Sequence, residues 1–129
     1  MIKTRIRFFG TIALTAFCIM TAQAQTSYTG AQLNERVVFQ DNHTQGVQIL
    51  SMQSAAQNNA LGVQAQIQNT SANNRHVYYR FRWLDNTGVQ IGGNNTWRPV
   101  LMTPNQTQTI RDTAPSANAV DFRIEMKVE

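Results

Sequence analysis

Three side chains of this sequence stand two apart and carry groups able to grip anions: Tyr78, Arg80 and Arg82. A guanidinium forks onto a carboxylate or phosphate, and a neighbouring tyrosine adds a ring and a hydroxyl. Trp97 with Arg98, just after the Gly92-Gly93 loop, forms a second grouping of the same kind. Tyr78, Arg80, Arg82, Trp97 and Arg98 are therefore the candidate binding surface, for a carboxylate, a sugar or a partner's backbone. The competing reading is ordinary sheet chemistry. In it the arginines pair across a sheet with Asp121 and Glu125, and the tryptophan packs in the core.

Groups for covalent or acid–base catalysis are scarce. Cys18 is the single cysteine, His43 and His76 fall in no recognisable motif, and Ser51, Ser54, Ser71 and Ser116 lack a Gly-x-Ser-x-Gly elbow. The few acids fall mostly at solvent-facing positions, which disfavours the paired carboxylates of a glycosidase. Glu35, Asp41 and His43 have ligand chemistry, but their spacing matches no metal-binding loop. No glycine-rich phosphate loop precedes a helix. The expectation is a protein that is not an enzyme and holds no metal or cofactor.

The elements that must position the candidate side chains are strands. From Arg75 to Gly88, Val77, Tyr79, Phe81 and Trp83 alternate with Tyr78, Arg80 and Arg82, and Asp85-Asn86-Thr87-Gly88 supplies the turn that stops the strand. Leu61, Val63, Ala65 and Ile67 point one way while Gln64, Gln66 and Gln68 point the other; this strand is expected to form an antiparallel hairpin with the first. Val120 to Val128 alternates just as cleanly. Arg36-Val37-Val38-Phe39, Val89/Ile91 and Thr107 to Ile110 read as short strands. In Val47–Met52 the apolar residues change sides after Ile49, which suits a bulge or a strand covered on both faces. Trp97 to Met102 contains Pro99, which puts it at a sheet edge or starts it after the proline. With about seven or eight strands and no helix beyond a turn, the pattern predicts an all-β, immunoglobulin-like β-sandwich over 35–129, with a small barrel as the alternative.

Lys3, Arg5 and Arg7, an apolar run from Phe8 to Met20, and Ala22-Gln23-Ala24 read together as a secretory signal over 1–24, cleaved after Ala24. The run is about 13 residues, short of the roughly 20 that span a bilayer. Residues 25–34 are polar without period and read as a flexible leader. Lipid attachment at Cys18 is disfavoured because Phe17 and Thr15 occupy places that want a small residue and a leucine. Cleavage removes the only cysteine and three of the 11 Lys+Arg, leaving 8 bases against 7 acids. The mature net charge of about +1 gives no electrostatic case for nucleic acid.

Four stretches stand together here: Ile67-Gln68-Asn69 with Ser71, Tyr79-Arg80-Phe81-Arg82-Trp83 with Asp85 and Gly88, Trp97-Arg98-Pro99 with Leu101, and Ala114-Pro115-Ser116 with Ala119, Asp121, Phe122 and Arg123. In this combination the chain resembles the YcfL-like family of small bacterial envelope proteins. The resemblance covers roughly residues 47 to 127 and implies a periplasmic immunoglobulin-like domain with no established activity. Many relatives look like lipoproteins; Phe17-Cys18 departs from that pattern and leaves a soluble periplasmic protein.

The functional expectation is a non-enzymatic interaction module of the cell envelope, binding a periplasmic or outer-membrane protein or the cell wall. A self-associating scaffold domain is the alternative, and a carbohydrate-active or metal-binding protein a remote one. No nucleic-acid partner and no membrane span after cleavage are expected.

Overall fold

The structure, a computed structural model, describes residues 24–92 and 95–129. The expected signal, with Cys18, lies outside the described residues except for Ala24, and so do Gly93 and Asn94. The strands are β1 (Gln25–Tyr28), β2 (Val37–Phe39), β3 (Val47–Gln57), β4 (Ala60–Asn69), β5 (Arg75–Leu84), β6 (Arg98–Met102), β7 (Thr107–Thr113) and β8 (Asp121–Val128). A single short helix, α1 (Ala31–Arg36), separates β1 from β2, and a 3-10 turn, Gln40–Asn42, follows β2. The strands form two four-stranded sheets, ordered β1-β3-β4-β7 and β2-β8-β5-β6. All pairings are antiparallel except β2 with β8.

One apolar core lies between the sheets. Every second residue of β8 is buried, and Phe122, Ile124 and Met126 are sealed completely, as are Val77 of β5 and Met102 of β6. Val47, Met52, Val63, Ala65, Ile67 and Ile110 face them from the other sheet. Trp83 is 6.4 Å from Phe122 between ring centres, and Phe81 stacks on Trp83 at 5.8 Å. Burying side chains of this size contributes about 1.5–3 kcal/mol each, and that drives the two sheets together.

Local chemistry explains the connections. β3 and β4 are joined by Asn58-Asn59, both with positive φ (49° and 62°), as a two-residue type I′ hairpin requires. The change of side in Val47–Met52 is a β-bulge: the register slips between Ile49 and Ser51, and Leu50 is turned outward. β6 is an edge strand, as Pro99 demands.

Two expectations need correction. The strands over Leu61–Ile67 and Val77–Trp83 do not form a hairpin, because β4 and β5 belong to different sheets. The tight Asn58-Asn59 turn gives β4 its partner in β3, and residues 70–74 carry the chain across to the other layer. Residues 25–34 are not a loose leader either. β1 pairs with β3 from Gln25↔Ala55 to Tyr28↔Met52, and most of α1 follows. Tyr28 holds this segment down: its hydroxyl is 2.9 Å from Ser54 Oγ and its ring meets Phe122 edge-on at 5.6 Å. Arg36, at the end of α1, closes the flank, 4.5 Å above the Tyr28 ring and 3.3 Å from Asp121.

A buried amide locks the opposite end of the two layers. Asn69 continues the inward phase of β4 and is wholly buried. Its Nδ2 donates to the carbonyls of Asn73 (2.8 Å), Met102 (3.0 Å) and Thr103 (3.2 Å). Its Oδ1 accepts from Ser71 N (3.0 Å) and Ser71 Oγ (2.6 Å). One side chain thus satisfies polar groups of β6 and of the crossover loop in a place water does not reach.

Candidate functional site

The period of two in β5 sets Tyr78, Arg80 and Arg82 on the outer face of the β2-β8-β5-β6 sheet, away from the core. Across the ladder, Tyr78 faces Lys127, Arg80 faces Glu125 and Arg82 faces Arg123. Two arginines directly opposite repel, and the side chains resolve the conflict by turning apart. Arg123 donates to Asp121 at 3.0 Å, while Arg82 donates to Glu125 at 2.9 Å. Arg80 binds the other oxygen of Glu125 through Nε. A single carboxylate therefore holds two guanidinium groups side by side.

The loop after β5 completes the cluster. Asp85 Oδ1 accepts from Thr87 N, Thr87 Oγ1 and Val89 N at 2.7–3.0 Å, with Gly88 at a positive φ of 82°. Those bonds hold the Asp85 carboxyl below its usual pKa, the Thr87 hydroxyl contributing most. The turn folds residues 89–91 back along β5, and Ile91 N reaches Trp83 O at 2.9 Å. Gln90 is thereby placed to accept from Arg82 Nε (3.1 Å) and Nη2 (2.9 Å), and its own amide reaches Asn95 at 3.2 Å. Arg80 donates to Asn95 O at 3.2 Å and lies 4.3 Å from the centre of the Trp97 ring. Lys127 sits 5.8 Å from the Tyr78 ring.

Tyr78, Arg80, Arg82 and Trp97 are thus brought together, and the pairing of the arginines with Glu125 is present in the same arrangement. Trp97 is half-buried on the outer face beside Arg80, not in the core. Arg98 requires correction. Its register partner is Tyr79, so it shares the inward-facing side of β6 and leaves the cluster. It spans to the other sheet, donating to Asp112 at 2.9 Å and to Arg111 O at 3.4 Å, 5.8 Å from the Tyr79 ring. Asp121 pairs with Arg36 and Arg123 instead of Arg80 or Arg82. Gln90 and Asn95 belong to the cluster and were not anticipated; the Asp85–Gly88 turn, which doubles the chain back on β5, was the available signal.

On the same face, Val38 opposite Glu125 and Leu101 opposite His76 are half exposed at the two sheet edges. The surface is a mosaic of arginine, aromatic and aliphatic groups. Among the described residues, no group of three or more His, Cys, Asp or Glu side chains is placed to hold a metal ion. None of the described helices is long and apolar enough to cross a membrane.

These features define the class: an all-β, two-sheet domain with an ordered arginine–aromatic cluster on one outer face. The chain belongs to the DUF1425 family, described as a protein of unknown function, whose model matches residues 20–128. It is similar to the crystal structure of Campylobacter jejuni cj0090, 23% identical with a TM-score of 0.62 over 73% of this chain and 98% of that one. It is also similar to a DUF1425 family member from Shewanella sp. PV-4, 15% identical with a TM-score of 0.59 over 82% of this chain and 90% of that one. Likeness at these identities speaks to the fold. No curated protein matches the chain.

Proposed function

We propose that this protein is a non-enzymatic interaction module of the bacterial cell envelope, and that it docks a protein partner through the outer face around Arg80. The observation that carries the reading is the ordering of that cluster. Arg80 is held at once by Trp97, Glu125 and Asn95, so its geometry is set before a partner arrives. Side chains already immobilised lose little entropy on binding. Tyrosine, tryptophan and arginine are also the residues that dominate binding energy at protein interfaces. That composition favours a protein over the cell wall as partner.

The finer parts of the reading belong here as well. The signal over 1–24 would deliver the mature chain to the periplasm, and the YcfL-like resemblance, which is compatible with a family of unknown function, supports that compartment. The sandwich is immunoglobulin-like in its two layers and in a first segment divided between them. It differs strand for strand, since β3 and β4 form a hairpin inside one sheet where an immunoglobulin domain sends its second and third strands to opposite sheets.

The test is site-specific photo-crosslinking in the envelope of the living cell. A crosslinker replaces Tyr78 on the proposed face or Gln66 on the opposite sheet. The reading expects a discrete adduct from position 78 that disappears in the Arg80→Ala/Arg82→Ala variant, and none from position 66. Equal adducts from both positions, or an adduct indifferent to the arginines, would overturn it. Co-sedimentation with purified cell-wall sacculi at low and high salt examines the competing wall reading.

A further inference from the structure

The outer face of the β1-β3-β4-β7 sheet has a different chemistry, and we propose that it carries a site for one acidic sugar residue. Strands β1, β3, β4 and β7 lie about 4.8 Å apart, so residues in register form rows across the sheet. One row holds Ser27, Gln53, Gln64 and Arg111; the next holds Gln25, Ala55, Gly62 and Thr113. The two smallest members, Ala55 and Gly62, are direct partners in the middle of their row. They leave a depression of about 210 Å³ whose rim includes Gln25, Gln53, Gln64, Arg111 and Thr113. Pockets for drug-sized ligands run from roughly 300 to 1,000 Å³, so this one suits a single ring.

The rim chemistry selects the ligand class. Amides and hydroxyls both donate and accept, as sugar hydroxyls do. Gln25 donates to Gln53 Oε1 at 2.6 Å, which fixes one wall. Arg111 is exposed and forms no ion pair among the described residues; Asp112 also lines the depression, and its carboxylate is taken by Arg98. A free guanidinium beside neutral amides matches a ring that bears one carboxylate. No aromatic side chain lines the depression, and its apolar side chains are those of Ala55 and Val63 alone. This site is independent of the arginine–aromatic cluster, which lies on the other sheet.

Gly62 supplies a clean way to fill the depression. A Cβ there would meet Ala55 O at 3.5 Å and Thr113 Oγ1 at 4.0 Å, ordinary contacts, and its φ is not in the left-handed region. Gly62→Gln therefore blocks the site without straining the strand, and Arg111→Gln removes the cation alone. The experiment is titration of the purified protein with D-glucuronate, D-glucose and acetate, followed by amide NMR shifts. Saturable shifts confined to outward residues of β3, β4 and β7 are expected with glucuronate. They should weaken about tenfold in Arg111→Gln, for the loss of a charge-assisted hydrogen bond, and vanish in Gly62→Gln. Glucose and acetate should each bind more weakly than glucuronate. Absence of saturable shifts, equal binding of acetate, or full binding by a folded Gly62→Gln would overturn the proposal. Should Gly62→Gln fail to fold, the surface variant Arg111→Gln decides, and unchanged affinity there would overturn it as well.

Discussion

Arg80 and Trp97 form a stacked pair, the guanidinium carbon 4.3 Å from the ring centre, on a strand and a loop separated by the whole Asp85–Gly88 turn. Because Glu125 holds the same guanidinium, the pair fixes the loop to the sheet. Glu125 is the more buried partner, its side chain 15% exposed against 28% for Arg80.

The energy in that cluster is modest and its ordering role larger. A partly exposed ion pair couples by about 0.2–1 kcal/mol, and a cation–π contact at such a site adds about 0.5–1 kcal/mol. A double-mutant cycle on Arg80→Ala and Trp97→Leu in urea should return a coupling of about 0.5–1 kcal/mol. A coupling of zero would mean that the stack does not hold the loop.

Asn69 should matter far more than any surface charge. Asn69→Ala strips the Met102, Asn73 and Thr103 carbonyls of their common donor inside the protein. A buried group left unpaired costs about 1–3 kcal/mol, so a loss of about 3 kcal/mol in unfolding free energy is expected. Asn69→Asp, which faces the same carbonyls with an acceptor, should be at least as damaging. Wild-type melting temperatures for both variants would refute the role assigned to this amide.

Arg98 covers an edge. The outer rim of β7 turns backbone groups away from β4, and Arg98 donates to one of them, the Arg111 carbonyl, while pairing with Asp112. Unpaired strand edges invite another strand. Arg98→Ala should raise the mean mass in light scattering above that of the wild type as concentration increases. An identical mass at every concentration would show that the edge needs no such guard.

Acid should weaken the fold partly through Asp121. Its partial burial pulls the pKa up, but the Phe122 amide, Arg123 and Arg36 together pull it down further, and the carboxyl titrates below its usual value. A folded-state pKa below the unfolded one stabilises above the unfolded value, about 3.9, and that stability is lost as pH falls through the folded pKa. In denaturant titrations across pH, wild type and Asp121→Asn should therefore differ at neutral pH and converge in acid. Parallel curves would refute the linkage.

Much of this architecture was legible in side-chain phase. β5 and β8 alternate without a fault, and the slip in Val47–Met52 left a bulge or a strand covered on both faces as its readings, of which the structure holds the bulge. Pairing partners were harder, since nothing local to Leu61–Ile67 says whether its neighbour comes from before or after it. β1 escaped notice because only Tyr28 of its four residues packs inward, and an edge held by backbone bonds leaves no apolar period. Arg98 was misplaced by reading it with Trp97 as a dipeptide. Its phase with Val100 and Met102 points it toward the core side. Asn69 shares the phase of Leu61, Val63, Ala65 and Ile67, and a polar residue in such a series was the readable sign of a buried hydrogen-bond hub.

The last of the described strands is an interior one. β8 lies between β2 and β5, and its Phe122, Ile124 and Met126 occupy the centre of the core. Until Asp121–Val128 arrives, β2 has no neighbour and β5 lacks the partner that faces it along nearly its whole length. The β2-β8-β5-β6 sheet therefore closes only once residues 121–128 are in place, whereas every strand of the other sheet precedes them. A copy lacking Asp121–Val128 would be left with β2 parted from β5 and β6 and nothing to close that sheet.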